Sequence, residues 1–142
     1  MKKFYLLFTL AFVVLFVSCS QNRKLVYENS LERQWMLKTL PGVTYEELLA
    51  ARAEINLTNL KTTGAYGGCN RIFFTTKTGG NHSISFTGIG STKMYCEKFM
   101  KTENSLVSTL QLVDRYELNG HQITFKDAAG KVLMTAVAAD WD

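Results

Sequence analysis

Three cysteines, two histidines and a Gly-Gly-Cys-Asn turn are the residues of this chain best suited to chemistry. Cys69 sits in Gly67-Gly68-Cys69-Asn70-Arg71, and Cys96 closes Ser91-Thr92-Lys93-Met94-Tyr95-Cys96. Each stretch follows a strand-like run. A thiol nucleophile needs a base and a group that orients the base. The histidines are His82, just past Gly79-Gly80-Asn81, and His121, beside Asn119-Gly120. Both read as solvated residues at hairpin turns. There is no Cys-x-x-Cys, and neither histidine stands at ligand spacing from a cysteine. That argues against zinc, and no metal or cofactor is expected. No Gly-x-Ser-x-Gly elbow is present. Gly64-Ala65-Tyr66-Gly67-Gly68 lacks the phosphate-loop pattern and leads into a strand. The carboxylates are scattered and suggest no glycosidase pair. The chain therefore reads as non-catalytic. Asn70 and Thr92 have two readings: a binding site at a barrel mouth, or structural roles in which Asn70 holds its turn and Thr92 bonds the neighbouring loop. The second is preferred, because an Asn side chain bonds turn backbone.

Cys19 belongs to a different pattern. Met1-Lys2-Lys3 is a positive start, and residues 4–17 are apolar except for Thr9. Fourteen residues fall short of the ~20 that span a bilayer as a helix. They fit the apolar segment of a signal peptide. Phe16-Val17-Ser18-Cys19 then resembles a bacterial lipobox, in which the cysteine becomes the lipidated N-terminus. An ordinary secretory leader and an N-terminal membrane anchor are the alternatives. The expected division is a signal peptide over 1–18, a lipidated end and polar tether over 19–30, and one domain over 31–142. Several acyl chains on one residue anchor a protein stably. Ser20, rather than aspartate, follows the cysteine. By resemblance to enteric lipoproteins that points to the outer membrane of a cell envelope.

If lipid occupies Cys19, Cys69 and Cys96 remain. Two leftover cysteines in an exported protein suggest a bridge. Across 27 positions it would contribute about 3 to 4 kcal/mol in the chain-entropy model. The alternative is two separate buried thiols.

The elements that would position these residues are mostly strands. Trp35 and Leu37 alternate in 31–40, Ile55 and Leu57 in 53–58, and Ile84 and Phe86 in 83–87. Further strands are expected over 60–66 and 72–78. Pro41-Gly42 is a turn, and Thr44-Tyr45-Glu46-Glu47 opens a short helix as a capping box. Residues 97–113 switch to helical period, with Phe99, Leu106, Leu110 and Val113 on one stripe. Asn119-Gly120 predicts a type I′ hairpin between 115–118 and 121–125. Asp127-Ala128-Ala129-Gly130 is another turn, before a last strand with Val132, Met134 and Ala136 on one face. The expected fold is mainly β: about eight antiparallel strands in a partly closed barrel or strongly curved sheet, packed on one long helix. Trp35, Tyr66, Phe73, Phe74, Phe86, Tyr95, Phe99, Tyr116 and Phe125 are expected largely in its core.

Gly68-Cys69-Asn70-Arg71 followed by Thr92-x-Met94-x-Cys96, with the opening Trp35-x-Leu37 strand, resembles the META domain of HslJ-type heat-shock lipoproteins. The resemblance covers 31–137. It implies a curved sheet with a helix over 97–113 and an envelope stress role through protein contact. Two further roles stay open: a barrel for a small apolar ligand or lipid, and an inhibitor of a hydrolase such as lysozyme, with 41–52 as the inserting loop. Nucleic acid is not expected. The net charge of +4 falls to +2 once Lys2 and Lys3 are set aside with the leader, and no long run of like charge exists.

Overall fold

A computed structural model of the chain describes residues 29–141. The expected signal peptide, the expected lipidation residue Cys19 and most of the expected tether lie outside the described residues. The described chain runs β1 (Gln34–Thr39), α1 (Tyr45–Ala51), β2 (Glu54–Asn56), β3 (Thr63–Tyr66), β4 (Arg71–Thr78), β5 (Ile84–Ser91), a 3-10 turn (Glu97–Phe99), α2 (Met100–Leu110), β6 (Arg115–Asn119), β7 (Gln122–Lys126) and β8 (Val132–Ala138). All strands pair antiparallel in one sheet, ordered β5-β4-β3-β2-β1-β8-β7-β6. The sheet curls into a half-barrel. Its two edge strands meet at one end, where Ser83 bridges Arg115. There the Ile84 N–H donates to the Asp114 carbonyl at 2.9 Å and the Tyr116 N–H to the His82 carbonyl at 3.0 Å.

Period-2 alternation puts Trp35, Leu37, Ile55, Ile84, Phe86, Ile123, Phe125, Met134 and Ala136 on one side of the sheet, where they are buried with Leu106 and Leu110 of α2. Aromatic and branched side chains thus occupy the concave side. The Trp35 indole N–H donates to the Leu31 carbonyl at 3.0 Å, so this large ring is buried without an orphaned donor.

The capping box forms as expected. The Thr44 hydroxyl accepts from the Glu47 N–H and the Glu47 carboxylate from the Thr44 N–H. The 41–52 segment is therefore largely a docked helix, with Leu48 and Ala51 buried, rather than an extended inserting loop. The hydrogen bond from Lys101 of α2, then the Thr44 N–H, holds the Glu47 carboxyl below the usual carboxylate range. A carboxyl with a lowered folded-state pKa adds stability above its unfolded pKa, and that stability is lost as pH falls through the folded value. Unfolding midpoints of wild type and Glu47→Gln are thus expected to separate at neutral pH and converge in acid.

Four expectations are corrected. The hairpin between β6 and β7 turns on Gly120-His121, because Asn119 pairs with Gln122 in the ladder. Gly120 has φ +58° and His121 is not left-handed, which is the type II′ pattern rather than I′. Phe73 is half exposed: it lies across from Gly90 and covers it, so that a Cβ at Gly90 would run into the Phe73 ring. Tyr95 is also out of the core, on the loop before α2. Val132 is half exposed, beside a register shift between β7 and β8, while Met134 and Ala136 are buried.

Candidate functional site

Both signature loops end at the same corner. Cys69 and Cys96 form a disulfide, with Cα atoms 6.0 Å apart. Two glycines let the first loop reach α2. A Cβ on Gly67 would stand 2.9 Å from Glu103 Cγ and 3.1 Å from its Cα. Gly68 has φ +112°, and a Cβ there would collide with the Phe99 ring. The loop therefore lies directly on the helix, which only glycine permits.

Asn70 is buried and uses all of its bonding capacity. Its Oδ1 accepts from the Thr92 hydroxyl at 2.8 Å and the Met94 N–H at 2.7 Å. Its Nδ2 donates to the Met94 carbonyl at 2.9 Å and to Glu103 Oε2 at 2.8 Å. The expected bond from this side chain to turn backbone is thus made to the other loop. Thr92 also accepts from the Arg71 N–H at 3.2 Å. Glu103, buried in the first turn of α2, takes the Cys69 N–H at 2.8 Å and the Asn70 N–H on Oε1. One carboxylate thus satisfies three N–H donors that the loop would otherwise bury unpaired.

Sequence reasoning missed Glu103. The signal was there: 99, 103, 106 and 110 share one helical face, and a carboxylate on an apolar face needs donors opposite it. Gly68, Cys69, Asn70, Thr92 and Cys96 come together as grouped in the signature. Arg71 and Met94 turn their side chains outward. Met94 is 57% exposed and Tyr95 81%. With Glu54, Asn56, Gly64, Tyr66 and Arg71, Met94 lines an open groove of about 920 Å³.

The histidines lie elsewhere. His82 is exposed and edge-on to the Tyr116 ring at 5.3 Å. His121 is not simply solvated. Arg33, only 3% exposed, faces its Nδ1 through Nη2 at 3.1 Å and donates to Asp140 from Nη2 at 2.6 Å and Nε at 3.0 Å. The imidazole therefore faces a cation rather than a nucleophile. Asp140→Ala removes the carboxylate from a buried guanidinium. It is expected to cost about 2 kcal/mol in a urea titration, with Asp140→Asn milder. Among the described residues no group of three or more His, Cys, Asp or Glu is placed to hold a metal ion, and no helix is long and apolar enough to cross a membrane.

An antiparallel half-barrel closed over a helix, with two loops stitched by a disulfide and a saturated asparagine, defines the class. The META domain family model matches residues 28–140, and the chain belongs to that family. Two solved structures share the fold. One, titled "NMR structure of the protein from Burkholderia xenovorans", is 17% identical with a TM-score of 0.59, covering 83% of this chain and 89% of its own. The other, titled "NMR structure of the protein", is 21% identical with a TM-score of 0.54, covering 77% of this chain and 91% of its own. No curated protein matches the sequence.

Proposed function

We propose that this META-family protein is a non-catalytic lipoprotein of a bacterial cell envelope. It is anchored through Cys19, in the outer membrane by the reading of Ser20, and it acts in envelope stress by contact with another protein. The observation that carries the reading is how the signature residues are spent. Asn70, Thr92, Glu103 and both sulfurs bond one another. What they fix in place is an outward Met94-Tyr95 tip. A rigid aromatic and an adaptable thioether are residue types enriched at protein interfaces.

The test is complementation of a deletion strain under heat stress. Wild type is expected to restore survival. Cys19→Ser, which removes the lipid, and Met94→Ser/Tyr95→Ser, which removes the tip but keeps the fold, are expected not to. Full rescue by the tip variant, or turnover of a substrate by the purified protein, would overturn the reading.

A further inference from the structure

The geometry points to a carbohydrate-binding groove on the outer face of β1, β7 and β8, with Trp141 as its stacking platform. This inference goes beyond the partner contact and does not depend on it. Trp141 is 53% exposed. It nevertheless has a fixed place. Its ring lies parallel to His121, 5.0 Å between centroids and 4° between planes. His121 is held by Arg33, and the same guanidinium binds Asp140, the residue next to the tryptophan. The buried cation thus holds the imidazole on which the indole stacks and the carboxylate of the residue before it.

Trp141 borders a groove of about 500 Å³ together with Lys38, Gln122, Thr124, Thr135 and Val137. On β7 and β8 these side chains alternate with buried Ile123, Phe125 and Ala136, so they face outward. The lining is mostly neutral. Among the described residues it holds no carboxylate and one cation, Lys38, which donates to the Tyr45 hydroxyl at 2.7 Å. Thr135 shares its hydroxyl with Thr39 at 2.9 Å. The Gln122 amide and the Thr124 hydroxyl have no side-chain hydrogen bond among the described residues.

That combination selects a ligand class. An anion would need several free cations, and a lipid chain would need walls uninterrupted by the amide of Gln122 and the hydroxyls of Thr124 and Thr135 that stand here beside Val137 and Trp141. A pyranose offers a face of C–H bonds to an aromatic ring and turns its hydroxyls toward amides and hydroxyls. The groove presents a pre-oriented indole, one amide and two threonine hydroxyls, which suits a neutral hexose or N-acetylhexosamine unit of a glycan. Holding the ring in advance lowers the entropy lost on binding.

The experiment titrates detergent-purified full-length protein with the β-1,4-linked trimer of N-acetylglucosamine and, separately, with maltotriose. Saturation-transfer NMR and calorimetry supply the readout. At least one sugar is expected to bind, with contact signals from its C–H protons. Trp141→Ala should weaken binding about tenfold or more, a loss of about 1.4 kcal/mol, while Trp141→Phe retains part of it. Gln122→Ala changes an exposed side chain and serves as the variant that keeps its fold; it too should weaken binding. The inference is overturned if neither sugar binds at about 10 mM. It is equally overturned if Trp141→Ala and Gln122→Ala both bind like wild type. Its failure would leave the Met94-Tyr95 contact untouched, since that surface is lined by other residues.

Discussion

Glu103→Ala is expected to destabilise the domain by about 3 to 5 kcal/mol, because it strands the Cys69 and Asn70 N–H groups and the Asn70 amide in a buried corner. Each orphaned donor costs the desolvation it no longer recovers, about 1 to 3 kcal/mol. Water entering the vacated space will offset part of that sum. At roughly 4 °C per kcal/mol for a domain of this size, the melting midpoint should fall by about 15 °C. Glu103→Gln should lie between, since one oxygen still accepts while the new NH₂ opposes a donor. A change in midpoint below about 3 °C for Glu103→Ala would mean that the loop finds other partners.

Reducing the disulfide, or making Cys69→Ser/Cys96→Ser, is expected to cost about 3 to 4 kcal/mol. The bridge closes a loop across 27 positions that holds β4, the β4–β5 hairpin and β5. Opening it returns chain entropy to the unfolded state. It also leaves the buried Cys69 side chain without its covalent partner. Denaturant titration with and without reductant measures the effect. An unchanged midpoint with an unchanged slope would refute it. Combined with Glu103→Ala the two losses should add to less than their sum, because Cys69 donates directly to Glu103.

Much of the fold was legible because the sheet is built from local signals. Trp35 and Leu37 alternate, Thr44 and Glu47 box a helix, and Gly130 ends the Asp127 turn with φ +83°. These depend on neighbours in sequence. Element ends were less legible. The strand expected over 60–66 begins only at Thr63, because Asn59 captures the Lys61 N–H and the Thr62 N–H bonds the Asn59 carbonyl. The helix expected over 97–113 starts as a 3-10 turn and is α-helical only over Met100–Leu110.

At the corner itself, Cys69, Asn70, Thr92 and Cys96 could be grouped from the signature. Their partner Glu103 showed only as a carboxylate on an apolar helical face; which donors it meets rests on a glycine loop reaching a helix more than thirty residues away in sequence. The Arg33-Asp140-His121 cluster was invisible for the same reason. It joins the two ends of the domain to a hairpin tip, and no local period encodes that meeting.

The most direct measurement is a double-mutant cycle between Asn70→Ala and Glu103→Ala, read by chemical denaturation of the full chain. Two side chains joined by the Asn70 Nδ2–Glu103 Oε2 bond inside one buried network should show a coupling of about 1.5 kcal/mol or more. Losses that add to within about 0.5 kcal/mol would show two independent sites, and the welded corner would not exist.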